Sequence, residues 1–306
     1  MDIKLLQGNC LIEAENIPSG SIDLILTDLP YGTMNGFNGI DWDFAIDPKE
    51  VYEIANRILR KNGKMVLFSQ EPYTTRLIAG AIQNVPFSYR AIWEKDSFGN
   101  ALLSNKALVG YYEDILIFSK SHDTDSMHPL RTYGKKCSEF ISKTRQERKL
   151  MLGHRGSDHF LENSGDPLQF SLCTEKTYKE LVSVFKLNTM DGFMPYDELR
   201  VIDKQFKKGL PSTFNLWEGN KHKSNIFRYK KDYDGYHPTQ KPVALLEDLI
   251  KTFSNEGDTV VDLTMGSGST GVACLNTNRN FIGMELDEGY FNIATNRIKN
   301  HKVADD

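Results

Sequence analysis

The chain has 306 residues, 40% hydrophobic and 25% charged, with a net charge of −4. That is the balance of a soluble globular protein long enough for one large domain or two. It excludes a disordered or collagen-like chain and a small disulfide scaffold, and no apolar run approaches the roughly 18 residues a bilayer span needs.

The first 118 residues read as alternating strand and helix. The run 22–27 (Ile-Asp-Leu-Ile-Leu-Thr) is short, apolar and stopped by a turn, as a buried parallel strand is. Over 48–60 the apolar residues Val51, Ile54, Ala55, Ile58 and Leu59 recur near helical spacing, with Pro48 suited to the first turn and Gly63 to the stop. Strands follow at 64–69, 89–94 and 114–118. From 119 to 235 the alternation is lost, polar and basic residues dominate, and one or two helices fall near 175–186 and 196–208. The last 70 residues return to strand and helix. A helix spans 243–253, a buried strand 259–263, a glycine-rich turn 266–271 opens a helix to about 275, a strand spans 281–285 and a helix 287–299. Strands alternating with helices imply a parallel sheet. The expected fold is α/β, a mostly parallel sheet with helices on both faces. Residues 1–118 and 236–306 form one catalytic and cofactor-binding domain, interrupted at 119–235 by a mixed, helix-rich module.

The net charge hides a split. Residues 119–235 carry 21 Lys and Arg against 16 Asp and Glu, and 131–155 alone carry 8 against 2. A solvated surface accounts for such a run until a second signal points to nucleic acid. The cysteines Cys10, Cys137, Cys173 and Cys274 stand singly with no Cys-x-x-Cys pair, so neither a zinc site nor a disulfide framework is indicated and a reducing cytoplasm fits. The N-terminus lacks the basic start and apolar stretch of a signal peptide. His128, His154 and His159 make no metal pattern and read as surface histidines.

Three segments carry chemistry. Gly266-Ser267-Gly268-Ser269-Thr270-Gly271 is a G-x-G-x-x-G turn between strand and helix, and Glu285 ends the next strand. Glycines let a ligand approach the backbone, the helix N-terminus offers free N–H groups, and a strand-tip acid accepts hydrogen bonds from a ribose diol. That suits any nucleoside-containing cofactor, NAD included. Asp28-Leu29-Pro30-Tyr31 follows the 22–27 strand and sets a carboxylate and an aromatic face where α/β folds bind ligands; alone it reads better as an Asp-x-Pro turn with Tyr31 as packing. His237-Pro238-Thr239-Gln240-Lys241-Pro242 precedes the 243–253 helix.

Taken in order, these segments resemble the β class of amino-methylating DNA methyltransferases, with an N-terminal DPPY-like tetrad, a recognition region, HPTQKP, a DPFxGSGTT-like turn and a strand ending in an acid. The resemblance covers all but the middle module. It implies the Rossmann-like fold of S-adenosylmethionine-dependent methyltransferases and transfer of a methyl group to the N6 amine of a flipped-out adenine. By similarity Asp28 and the Leu29 carbonyl accept the amine's hydrogens, Pro30 shapes the turn and Tyr31 stacks on the base. The cofactor positions implied are Asn9, Cys10, Asp28, Thr239, Lys241, Asp262, Thr264, Gly266, Gly268, Ser269, Glu285 and Leu286, with Thr239 and Lys241 near the methionine carboxylate. The basic run becomes a DNA grip, with Lys135, Lys136, Lys143, Arg145, Arg148, Lys149 and Arg155 as phosphate partners. The loop 32–43, with Phe37 and Trp42, reads as a cover for the flipped base. Partners implied are double-stranded DNA, a second copy of the chain and a cognate restriction enzyme, in a bacterial or phage-infected cytoplasm, without metal or membrane.

Two positions depart from the family pattern. Leu29 stands where proline is usual, and Leu263-Thr264 replace Pro-Phe, removing an aromatic beside the cofactor. These departures motivate the alternative of a catalytically silent DNA-binding subunit. Cytosine-N4 methylation is the nearer alternative, although an acid-first tetrad favours adenine. An NAD dehydrogenase would leave the N-terminal tetrad without a role.

Overall fold

The computed structural model describes the chain apart from residues 33–44, 99–104, 107, 123–127, 162–169, 209–212, 233–234, 237–239 and 302–306, and the side chains of 207 and 208. Two compact units emerge, Met1–Ser121 with Ser212–Asp306, and His122–Pro211.

Among the described residues the first unit is built on eight strands: β1 (Ile3–Gln7), β2 (Ile22–Thr27), β3 (Leu59–Ser69), β4 (Phe87–Glu94), β5 (Tyr112–Ser119), β6 (Ile226–Arg228), β7 (Thr259–Asp262) and β8 (Asn280–Glu285). Their order across the sheet is β1-β8-β7-β2-β3-β5-β4-β6. Only β5 runs against its neighbours, antiparallel to β3 and β4. Successive strand residues alternate between two cores, as the period of two requires. Ile25, Met65, Leu67, Leu116, Phe118 and Val261 pack on one face with helices α1 (Cys10–Glu13), α2 (Pro48–Ile58) and α3 (Tyr73–Ala79). Leu24, Leu26, Val66, Ile115, Ile117 and Val260 pack on the other with α8 (Val243–Phe253), α9 (Ser269–Asn276) and α10 (Glu288–Asn300). Strands covered on both faces need no polar side, which is why β2 reads as an apolar run broken only by Asp23 before its closing Thr27.

The β2–α2–β3 and β7–α9–β8 connections leave two adjacent strands toward opposite faces. The sheet therefore has its topological switch point between β2 and β7, where α/β folds hold ligands beyond the carboxyl ends of the strands.

The expected module boundary at 235 moves to 212. Residues 213–232 return to the first unit, where β6 pairs with β4, the Trp93 indole donates to the Tyr229 carbonyl at 2.8 Å, and Asn215 bonds the end of α8 through the Lys251 and Ser254 carbonyls. A three-residue edge strand held by backbone pairing is too short to leave a hydrophobic period.

The second unit contains α4 (Arg131–Ile141), α5 (Arg145–Leu152), α6 (Glu175–Phe185) and α7 (Tyr196–Lys208). The last two match the sequence reading; the first two lie inside the basic run, whose charge conceals their helical period. Gly134 masks α4 as a helix, yet its lack of a side chain is what the packing demands: a Cβ there would sit 2.1 Å from the Phe160 carbonyl oxygen. Tyr133, Cys137, Phe160, Phe170, Tyr178, Leu181 and Leu199 form a separate small core. Inside it the Tyr133 and Tyr178 hydroxyls meet at 2.7 Å, and Tyr178 donates to the Met194 carbonyl at 2.7 Å. A capping box of Thr144 and Glu147 starts α5, satisfying two N–H groups that a helix start leaves unpaired.

Two expectations for this unit change. Arg148 is 1% exposed and donates to the Lys143 carbonyl at 2.6 Å, so it faces the interior and presents nothing to a phosphate. His128 is buried between the Phe170 and Phe206 rings, with its Nε2 3.3 Å from Asp203, rather than on the surface. The four cysteines are buried and unpaired. Among the described residues no helix is long and apolar enough to cross a membrane.

Candidate active site

The site is built from the carboxyl ends of β1, β8, β7 and β2, which are neighbours in that order. β2 delivers Asp28, Leu29, Pro30 and Tyr31 beyond its last residue, Thr27. Leu29 is buried among the residues under α1 and α2, so the side chain that replaces proline anchors the turn by packing. The Tyr31 ring tilts against Tyr73 at 5.9 Å, and Tyr73 donates to the Ile46 carbonyl at 2.8 Å.

Asp262, at the end of β7, is the hub of the floor. It accepts from the Thr27 hydroxyl at 2.8 Å, the Thr264 amide at 3.1 Å and the Thr270 hydroxyl at 2.6 Å. Burial pushes its carboxyl up to about 6, with the Thr270 and Thr27 hydroxyls pulling the other way. Thr264, which replaces an aromatic, donates its hydroxyl to the Asp28 carbonyl at 3.0 Å. The two ligand loops are thus tied to each other through hydrogen bonds that meet at Asp262 and Thr264.

The glycine turn divides its labour. Gly266 has φ +51° and its amide donates to the Glu285 carboxylate at 2.8 Å. Gly268 has φ +80°, and a Cβ there would meet Ala294 and Ile298 of α10 at about 3 Å. The helix behind it alone accounts for its lack of a side chain. Ser269 is buried and accepts from the Arg297 guanidinium at 2.9 Å, so it too faces α10. No side chain caps α9, which leaves its first amides free to meet an anion.

Glu285 completes the edge. Its carboxylate accepts from Gly266 and from the Asp287 amide at 2.9 Å, and its own carbonyl accepts from Gly8 at 2.9 Å. Burial raises its pKa, opposed by those amide bonds. Leu286 beside it is 63% exposed. Asn9 uses its side-chain oxygen to cap α1 through the Leu11 amide at 3.0 Å, and Cys10 turns into the core, its thiol pushed up to about 11 by burial. The Cys10 side chain is therefore a packing group rather than a ligand contact. Thr239 and the loop from 33 to 43 lie outside the described residues.

Lys241 is the largest departure. Instead of standing free for a methionine carboxylate, its ammonium bonds Asp28 Oδ2 and lies 3.2 Å from Glu113 Oε2. Glu113 enters because β5 is antiparallel, so its first residues sit at the end of β3, beside the tetrad. Lys95 binds the other Glu113 oxygen at 3.1 Å. Tyr31 donates to Asp28 Oδ1 at 2.7 Å. Burial raises the Asp28 carboxyl and Glu113 adds to the rise, while Lys241 and the Tyr31 hydroxyl oppose it. Burial alone would raise Glu113 as well, but Lys241 and Lys95 outweigh it and hold its carboxyl below the usual range. Sequence reasoning misses Glu113 and Lys95; the one visible signal is a Glu-Asp pair opening an otherwise apolar strand.

The residues present fit S-adenosylmethionine. Three carboxylates (Asp28, Asp262 and Glu285) surround the edge and suit a sulfonium cation, the uncapped start of α9 suits a carboxylate, and both side-chain amide atoms of Gln240, next to Lys241, are buried without a partner.

Residues 22–296 match the DNA methylase family. The DNA adenine methyltransferase YhdJ of Escherichia coli K12 is 26% identical over 304 residues, covering 96% of this chain and 82% of its own length. The orphan methyltransferase M.BamHII of Bacillus amyloliquefaciens is 25% identical over 291 residues, covering 94% and 93%. Among solved structures, the M1.HpyAVI–SAM complex aligns with a TM-score of 0.53 at 19% identity over 97% of this chain and 98% of its own. The cytosine-N4-specific PvuII DNA methyltransferase aligns at 0.54 and 15%, covering 99% and 89%; both share the fold. With the ordered tetrad, glycine turn and acidic strand end gathered on one sheet edge, the chain belongs to the DNA methylase family of amino-methylating, S-adenosylmethionine-dependent DNA methyltransferases.

Proposed function

We propose that this enzyme methylates the exocyclic N6 amine of adenine in double-stranded DNA. The observation that carries the reading is Asp28, an acceptor-only carboxylate at the β2 tip, 27% exposed and facing the switch point that Gly266 and Glu285 share. The relative named a DNA adenine methyltransferase supports the same choice of base.

The amine is a poor nucleophile because its lone pair is delocalised into the ring. Asp28 and the Leu29 carbonyl accept its two hydrogens, which turns the lone pair out of the ring plane toward the methyl donor, and Tyr31 gives the base a stacking face. Gly266, Glu285 and the start of α9 would hold S-adenosylmethionine, which when bound would supply an electrophilic methyl group and leave as S-adenosylhomocysteine. The buried floor of threonines around Asp262 holds both loops still, so no reorganisation is left for the moment of transfer. An amine inside a duplex is out of reach, so the base is flipped out, at a cost of a few kcal/mol.

In the second unit, Lys135, Lys136, Lys143, Lys149 and Arg155 are exposed and suited to phosphates. Arg145 is partly committed to Asp158 at 2.6 Å. The working place of this enzyme is the bacterial cytoplasm; a second copy and a cognate endonuclease are partners implied by family resemblance. Sequencing of methylated bases in DNA from cells producing the protein tests the reading. N6-methyladenine at one recurring sequence supports it, and N4-methylcytosine would reassign the base.

A further inference from the structure

The charges behind Asp28 form a chain of alternating sign: Asp28, Lys241, Glu113, Lys95. Lys241, Glu113 and Lys95 are each less than a tenth exposed. Burying three charges beside a half-buried fourth is unfavourable unless each is paired, so this set calls for a role that packed leucines could not fill. The arrangement of partners suggests one. Both Asp28 oxygens are occupied, Oδ1 by the Tyr31 hydroxyl and Oδ2 by the Lys241 ammonium. A charge-assisted bond is roughly twice as strong as a neutral one, so while Lys241 stays on Oδ2 an adenine N–H competes with it for the charge of that oxygen and is held more weakly. Glu113 Oε2, however, is buried and already ion-paired with the Lys241 ammonium at 3.2 Å, short of an aligned hydrogen bond. A buried acceptor at ion-pair distance from a three-donor cation is a second seat.

We propose that Lys241 exchanges seats: it bonds Asp28 in the arrangement described above and transfers that hydrogen bond to Glu113 when the target amine docks on Asp28. The inference rests on the methyltransferase reading. Lys95 occupies the other Glu113 oxygen and so limits the pull of Glu113 on Lys241 beforehand. The Lys241 ammonium lies 5.1 Å from the centre of the Phe68 ring, a surface along which a cation moves without losing all its stabilisation. Lys241 and Glu113 are positioning residues; neither needs to touch the reacting atoms. The other charged or titratable groups facing Asp28 among the described residues are Tyr31 on its own turn and Asp262 from β7, with Tyr73 of α3 behind Tyr31.

The test uses the full-length enzyme, radiolabelled S-adenosylmethionine and a randomised duplex library. Glu113→Gln removes the second seat, so kcat falls about tenfold or more while the donor's dissociation constant is unchanged. Its acid limb moves to lower pH, because a carboxylate that raised Asp28 is gone. Lys241→Gln moves the acid limb to higher pH. In the Lys241→Gln background, adding Glu113→Gln lowers kcat no further. Equal losses in both backgrounds, or an acid limb that stays put in both single variants, overturn the exchange. Should the buried substitutions fail to fold, the wild-type enzyme decides. In a crystal structure with duplex DNA and S-adenosylhomocysteine, Lys241 Nζ bonded to Glu113 and free of Asp28 supports the proposal. Lys241 still on Asp28 beside a flipped base overturns it. A wild-type enzyme that binds the donor but methylates no DNA sinks the parent reading and the exchange together; methylation with Lys241 fixed on Asp28 sinks the exchange alone.

Discussion

The two units use their charges differently. In the sheet unit the informative charges are buried and cross-linked between elements distant in the chain: Lys241 and Asp28 are 213 positions apart, and Asp262 ties β7 to β2 through Thr27. In the helical unit most lysines point outward, and the charges that turn inward, such as Arg148 and the His128–Asp203 pair, sit within its own small core. A buried charge is held in one geometry and fits positioning work; an exposed one adds to a field and fits a polyanion. Arg148 shows that membership of a basic run does not decide which kind a residue is.

The sharpest break in that comparison comes from Asp28. Asp28→Ala removes the acceptor and is expected to lower methyl transfer by roughly 10²–10³-fold or more. Donor binding, followed by calorimetry, should survive. Next comes the lysine field. Replacing Lys135, Lys136 and Lys149 together with Ala should weaken DNA binding. The slope of log K against log salt should become shallower by about 0.9 for each phosphate that is no longer neutralised, with kcat at saturating DNA unchanged. Arg148→Met is the control from the same run: the salt slope should not move, and stability should change little, since an apolar group of similar volume replaces a buried guanidinium with two unpartnered nitrogens. A fall in the slope for that variant would place Arg148 back among the phosphate-binding residues.

Thr264→Val cuts the tie to the Asp28 carbonyl and leaves a buried acceptor unpaired, at about 1–2 kcal/mol measured by denaturant unfolding. The last effect is a pH dependence. Asp262 has its pKa raised to about 6, so the folded protein binds its proton more tightly than the unfolded chain does. Its favourable contribution is present at low pH and is lost as pH rises from about 4 to about 6, by about 3 kcal/mol at most. Asp262→Asn removes this dependence, so the variant's stability relative to the wild type should rise across that window.

Much of the sheet unit is legible in the sequence because its signals are local. β2, α2, α8 and the α9 turn each carry a period, a proline or a glycine within a dozen residues, and Asp28, Gly266 and Glu285 stand at strand ends that the sequence already marks. What is not legible depends on partners brought together only by the fold. Glu113 reaches Asp28 because β5 is antiparallel, a direction no strand pattern encodes. Gly268 is also required by packing against α10, which its place in a glycine-rich turn does not reveal. Helix α4 is hidden by Gly134, whose cause lies in the Phe160 backbone. Segment 213–232 falls to the wrong unit because backbone pairing and side-chain caps, not apolar periodicity, hold it.

The central claim is that Asp28, as a hydrogen-bond acceptor, aims an adenine amine at the methyl donor. Mass spectrometry of nucleosides from DNA treated with the purified enzyme and S-adenosylmethionine measures it most directly, with Asp28→Ala run in parallel. The account predicts N6-methyladenine from the wild type and none above background from the variant. N4-methylcytosine from the wild type, or N6-methyladenine at the wild-type rate from the variant, would contradict it.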